Sequence, residues 1–281
     1  MTKGDQRVVL ITGCSSGIGR ALALEFLARG HRVAATARSL TSIADLLGDG
    51  CLTLALDVTD GESIDRAVAE TIEWAGRIDI LVNNAGYALV GPVAEISIDD
   101  LRRQLETNVV GAVAATQSVV PHMAAAGGGC IVNIGSVSSL LATPFGGAYS
   151  ASKAALHLLS DALRPEVVPF GIHVLVVRAG GVLTRFPEAA AHGLDRYRDP
   201  RSLYHDHVGG MEERAEMSKN LAMTAEEFAR RVADAAAKKN PPAMLKIGGG
   251  ARIVPAMAML PKKLLAMVLG RKFGLNEVSS P

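Results

Sequence analysis

Charge of one sign, long apolar runs, aromatic rings and paired cysteines are all scarce in this chain, and each shortage excludes something. The 29 basic residues are offset by 28 acidic ones for a net charge of +1, and the basic residues are dispersed. No stripe exists of the kind that neutralises a phosphate backbone, so nucleic acid is not an expected partner. The three cysteines, Cys14, Cys51 and Cys130, form an odd set without a CxxC pair. That pattern argues against a disulfide framework or a cysteine-rich zinc site and for reduced thiols in the cytoplasm. No apolar run approaches the roughly 18 residues of a spanning helix. The start, "MTKGDQRVVLITG", passes from a short polar stretch directly into a strand-like run, without the apolar region and cleavage site of an export signal. Aromatics are 4% of a chain that is 49% hydrophobic and rich in Ala, Val, Leu and Gly. That balance suits buried parallel strands under closely packed helices and excludes disorder.

What is there is a rhythm. The runs "RVVLIT", "RVAATA", "LTLAL", "IDILVN", "CIVNIG" and "IHVLVVR" read as strands, separated by longer helical patterns, with "AMLKIG" at Ala243 to Gly248 as a seventh strand at one edge. Strands alternating with helices predict an α/β doubly wound parallel sheet with helices on both faces. No linker divides the chain and no solenoid period recurs, so residues 1–281 are expected to form a single domain.

Two regions break the rhythm. From about 184 to 222 the chain is polar, with His192, His205, His207 and scattered prolines and glycines, as in a loop or small helical lid over a site. Its histidines fit no HxxxH-type spacing, and no metal is expected. From about 251 to 275 the sequence is rich in Met and Leu but broken by Pro255, Pro261 and the Lys262-Lys263 pair. It reads as packing over the pocket or a subunit contact, with a membrane surface as the alternative.

The first strand runs into "TGCSSGIG", where Gly13, Gly17 and Gly19 precede an amphipathic helix. Glycines let a backbone approach a ligand, and a helix N-terminus offers unpaired N–H groups and a positive dipole end to phosphate. The end of the second strand, where an acidic residue would bind the ribose hydroxyls of NAD, holds Ala37-Arg38 instead. A guanidinium can clamp a 2′-phosphate, so NADP(H) is the expected cofactor, with NAD(H) as the alternative. Arg38 would otherwise face water. At the end of the third strand, the Asp57 carboxylate or the Val58 backbone would meet the adenine; alternatively Asp57 caps the next helix.

The ordered set "TGCSSGIG", "NNAG" (Asn83 to Gly86), "NVVG" (Asn108 to Gly111) and "YSASK" (Tyr149 to Lys153) resembles the short-chain dehydrogenase/reductase family, from the first strand to about Thr184. "LLATPFGGAYSASKAAL" and "RAGGVLTRF" are most similar to its steroid, retinol and acyl-dihydroxyacetone-phosphate reductase-like branch. The resemblance implies a Rossmann-type sheet and hydride transfer between a nicotinamide and an alcohol/carbonyl pair. It assigns Asn108, Ser136, Tyr149 and Lys153 as the catalytic set, with Ser138 and Ser139 the weaker serine candidates. Around the cofactor it places Gly13, Ser15, Ser16, Gly17, Ile18 and Gly19. From later strand ends it adds Asn84, Ala85 and Gly86, then Gly180, Val182 and Thr184, besides Tyr149 and Lys153 themselves.

A phenol near pKa 10 needs a neighbouring cation to act at neutral pH, and residues four apart on a helix share a face. Lys153 is therefore expected to lower the Tyr149 pKa. Ser150, Ala151 and Ser152 between them are expected to leave an open approach to the phenol. The family's Pro-Gly after the sixth strand is here Ala179-Gly180, which predicts a looser turn, and Pro165 predicts a kink or stop in the catalytic helix. This helix often contributes to the family's dimer face, so a homo-oligomer is among the expected partners. The expected substrate is a small hydrophobic alcohol or carbonyl compound, steroid-, retinoid- or lipid-like. The alternative function is a non-catalytic NADP(H)-sensing regulator on the same fold.

Overall fold

The computed structural model describes residues 6–219, 222–251 and 253–275. The first five residues of the expected polar start, Asn220 and Leu221 of the expected lid, and Arg252 of the apolar segment lie outside the described residues. Along the chain come β1 (Val8–Ile11), α1 (Gly17–Ala28), β2 (Arg32–Ala37), β3 (Cys51–Ala55), α2 (Gly61–Ala75) and β4 (Ile80–Asn83). Then follow α3 (Ile98–Leu105), α4 (Gly111–Ala125), β5 (Gly129–Ile134), α5 (Gly147–Val167) and β6 (Ile172–Ala179). The remainder is α6 (Phe186–Ala191), α7 (Val208–Glu216), α8 (Ala225–Ala236), β7 (Met244–Ile247), α9 (Ile253–Met257) and α10 (Lys262–Lys272).

All seven strands are parallel, in the order β3-β2-β1-β4-β5-β6-β7. This is the expected Rossmann-type sheet, with β7 at the edge. The order reverses between β1 and β4, so the crossovers leave a crevice at the carboxyl ends of these strands, where such sheets bind ligands. Alternation along each strand sends side chains to opposite faces. Val9 and Ile11 meet Leu22 and Phe26 of α1 and Phe228 and Val232 of α8. Leu10 and Leu81 meet Ile64 and Val68 of α2 and Val119 and Met123 of α4. Phe26 and Phe228 have no exposed surface, and burying a side chain of this size contributes about 1.5–3 kcal/mol.

A third cluster lies off the sheet. It joins Phe145, Tyr149, Leu194, Met211, Leu269 and Phe273, so the lid helices and α10 close over the carboxyl end of the sheet. Phe145 holds a left-handed backbone, φ 62°, which is uncommon for a bulky residue. Its ring is buried edge-on against Tyr204 and Phe273, which retains that conformation just before α5.

α5 includes Pro165 and ends two residues later at Val167, so the expected stop falls within the same turn, where the proline lacks the N–H that would bond the Asp161 carbonyl. Arg164 beside it bonds the Val174 and Ala243 carbonyls, tying the helix end to the sheet. One local expectation is corrected: the turn after β6 is not loose. Ala179 stays in register with Ile247, and Gly181 exchanges two backbone hydrogen bonds with Gly249 while Met223 N–H donates to its carbonyl.

Candidate active site

The carboxyl ends of the strands open on a cavity of 1220 Å³. Every residue that the sequence placed at cofactor or catalysis lines it, except Gly19 and Asn108. These two act from behind the wall. A Cβ at Gly19 would collide with the Gly13 carbonyl oxygen and Asn84 Nδ2, so α1 starts against the loop that precedes it. Gly13, at φ 76°, passes so close to β4 that a Cβ would come 2.9 Å from Ala85 Cα. Asn84 Nδ2 donates to the Thr12 and Gly13 carbonyls at 2.8 and 3.0 Å, and Thr12 Oγ1 accepts from the Asn84 and Ala85 N–H groups.

This cradle fits a nucleotide. Ser16 caps α1 with no side-chain bond, and no acidic residue stands in the first turn, so its N–H groups and positive dipole end remain for phosphate. Thr184 packs on Gly17 and its hydroxyl accepts from Phe186 N–H, bringing the loop after β6 to the phosphate turn. Arg38 is exposed at the cavity and forms no ion pair among the described residues. Asp57 accepts from Thr59 N–H and hydroxyl at 2.9 and 2.8 Å, which holds its carboxyl below the usual range. The cap of α2 is Asp60, not Asp57.

At the far end of the cavity, Tyr149, Lys153 and Ser136 converge, each more than nine-tenths buried. The first two stand one turn apart on α5, and Ser136 follows β5. Asn108 lies in a π-helical turn, Glu106–Val110, between α3 and α4. Its carboxamide pairs with Tyr87 in both directions, at 3.1 and 2.9 Å, and donates to Ser152 Oγ at 3.1 Å. It also fills the space beside Gly86, where a Cβ would lie 2.9 Å from Asn108 Oδ1. Asn108 therefore fixes the loop after β4 to the catalytic helix.

The electrostatics differ from the expected pair. Burial pushes the Tyr149 phenol up from its ordinary value, offset in part by a hydrogen bond with Ser136 and the positive charge of Arg214. Lys153 Nζ turns to the Ile134 carbonyl at 2.8 Å and stands 5.9 Å from the phenol ring centre, so it is not the cation that lowers the phenol here. Burial lowers the ammonium itself to about 8. Nor do Ser150 and Ser152 form an open approach: both are buried, and Ser152 bonds Asn108 and the Tyr149 carbonyl.

Two further residues shape the site without having been read from the sequence. His157, one turn beyond Lys153, packs behind the end of β5, where its Nε2 accepts from Ser136 N–H and its Nδ1 meets Ser139 Oγ. Burial, with Arg178 and Lys153 nearby, lowers it to about 4, so it is neutral at physiological pH. Its spacing from Lys153 was the available signal. Arg214 on α7 carried none, since only the tertiary fold brings it beside Tyr149.

Residues 7–194 match the family model described as short chain dehydrogenase. The chain belongs to the short chain dehydrogenase family. It is 39% identical over 182 residues to the NADPH-dependent 1-acyldihydroxyacetone phosphate reductase of Schizosaccharomyces pombe, covering 64% of this chain and 61% of the relative. It is 37% identical over 212 residues to 17-beta-hydroxysteroid dehydrogenase type 1 of Homo sapiens, covering 71% of this chain and 64% of the relative. The chain thus spans less than two thirds of either relative's length. The crystal structure of a short-chain dehydrogenase from Streptomyces avermitilis superposes with a TM-score of 0.81 at 32% identity, covering 96% of this chain and 98% of that one. These similarities agree with the family and branch resemblance carried by the motifs.

Proposed function

We propose that this short chain dehydrogenase is an NADP(H)-dependent oxidoreductase that transfers hydride between a nicotinamide and an alcohol/carbonyl pair on a hydrophobic substrate, working as one domain. The observation that carries this reading is the convergence of buried Tyr149, Lys153 and Ser136 on the same cavity as the glycine cradle. Gly13, Ser15, Ser16, Gly17 and Ile18 would hold the pyrophosphate, with Gly19 behind them, and Arg38 a 2′-phosphate. Asp57 and Val58 would border the adenine, Asn84, Ala85 and Gly86 the ribose, and Gly180, Val182 and Thr184 the nicotinamide. When bound, the nicotinamide supplies or takes the hydride.

The Ser136 and Tyr149 hydroxyls would hold the carbonyl oxygen, and Tyr149 would give it a proton as negative charge develops there. Burial keeps the phenol protonated at neutral pH, the form that carbonyl reduction requires. Lys153 would hold the nicotinamide ribose, and Asn108 and His157 would position the helix and the serine turn.

An apolar wall of Leu141, Phe186, Ala190, Met217 and Val254 supports a hydrophobic substrate, as do the lipid and steroid names of the two relatives. α10 packs Leu265 and Leu269 inward and leaves Leu264, Met267 and Val268 exposed beside Lys262 and Lys263. That face suits peripheral contact with an anionic membrane surface, although no helix among the described residues is long and apolar enough to cross one. The exposed Leu158, Leu159 and Phe170 at α5 and its end suit a second copy of the chain. Three buried thiols fit a reducing, cytoplasmic setting.

The test is a loss of NADPH absorbance on a panel of hydrophobic ketones and aldehydes. Tight NADPH binding with no turnover on that panel would instead support a nucleotide-sensing regulator.

A further inference from the structure

Among the described residues, Arg214 is a buried cation without a counter-ion. It is 8% exposed and lines the cavity from α7, above Tyr149. Its Nε donates to Thr143 Oγ1 at 2.6 Å, which aims the fork, while its two terminal nitrogens bond no described residue. No carboxylate pairs with it among the described residues. Of those lining the cavity, Asp57 is held by Thr59, Asp100 by Arg103 and Arg196, and the exposed Glu106 forms no ion pair with Arg214. The guanidinium packs directly on Gly146, where a Cβ would collide with it. Gly146 caps the N-terminus of α5 without a side-chain bond, so the positive end of a helix of 21 residues adds to the positive charge.

A desolvated guanidinium beside a second positive end is costly unless an anion meets it. Burial lowers the Arg214 pKa, and the one ionisable neighbour it responds to is Tyr149. An arginine pocketed in this way donates parallel N–H bonds to two oxygens of a phosphate or carboxylate. The apolar wall beside it accommodates an acyl or alkyl chain.

We infer that Arg214, oriented by Thr143, is an anion-binding subsite of the substrate pocket, so that the substrate is an amphiphilic ketone or alcohol bearing a phosphate monoester or carboxylate near the reacting carbon. This rests on the oxidoreductase reading only for the word substrate, because the subsite itself can be measured without turnover. The full-length chain is titrated calorimetrically with octyl phosphate, octanoate and octanol, with saturating NADP+ and without it. Charge-assisted bonding predicts that wild type holds at least one anion about 10- to 100-fold more tightly than octanol. Arg214→Gln should abolish that preference. Arg214→Lys, which keeps the charge and loses the fork, should retain the preference with weaker affinity, and serves if the glutamine variant does not fold. Whichever anion binds better identifies the headgroup.

Equal affinity of wild type for the three ligands overturns the inference, as does an anion preference that survives in Arg214→Gln or anion affinity unchanged in Arg214→Lys. Anion preference in a protein that oxidises no NADPH would sink the oxidoreductase reading and leave the subsite standing. Turnover of neutral ketones by a protein without anion preference would do the reverse.

Discussion

The two ends of the cavity are built from different materials. The end proposed for the nucleotide is mostly main chain: the turn from Gly13 to Gly19, its bonds to Thr12 and Asn84, and the open start of α1. The end proposed for the substrate is side chains: Tyr149 tilted against Phe186 and Arg214 pinned by Thr143, with Leu269 of α10 and Phe273 just after it packed behind them. A backbone site tolerates almost no added atom and little sequence freedom. A side-chain site can be rebuilt from whichever short helix happens to lie above it, and this is where substrates can be distinguished on a common scaffold.

Four measurements put that contrast to the test. Tyr149→Phe removes the proposed proton donor and leaves the cradle intact, so kcat should fall about 10²- to 10⁴-fold with NADPH affinity unchanged. A parallel loss of NADPH binding would mean that the two ends are not separable. Arg38→Ala should weaken NADPH by about 10- to 100-fold in Kd, the worth of one charge-assisted contact, and hardly affect NADH. Equal losses for the two nucleotides would remove Arg38 from 2′-phosphate recognition. Gly19→Ala forces a methyl into the Gly13 carbonyl and Asn84, and overpacking of this kind costs about 1–3 kcal/mol. Thermal unfolding and nucleotide titration should both register it, whereas a variant that melts like wild type would show that the cradle has slack.

The smallest effect concerns His157. Its unfolded form titrates near about 6.5, whereas the fold keeps it neutral down to about 4. Between those values the unfolded chain binds a proton that the folded chain does not, so stability is present above the window and is lost as pH falls through it. His157→Gln should flatten that part of the stability curve while moving the Ser136 turn enough to raise KM. An unchanged acid profile in denaturant melts would place the acid sensitivity elsewhere.

Much of this was legible in the chain itself. The strands were readable because each is a short buried run between helical patterns, and the cradle because close backbone approach demands glycine at fixed positions. The register of Tyr149 and Lys153 followed from helical spacing. The spacing did not give their charges: it placed a lysine one turn from a phenol, but the Nζ position depends on the Ile134 carbonyl at the end of a strand nineteen residues earlier. Likewise Asn108 could be named, yet its bonds to Tyr87 and Ser152 needed the loop after β4 folded over α5.

The sequence alone was enough for the sheet, and it named the glycine turn and the candidate reactive set, because these rest on local periodicity and on steric demands that few residues meet. The electrostatic environment came from the tertiary fold: which groups are desolvated, that Arg214 rather than Lys153 is the cation the phenol responds to, and that Arg214 has no carboxylate partner among the described residues. Desolvation and charge depend on distance in space, and α7 and α5, far apart in the chain, acquire that distance only when the lid closes on the sheet.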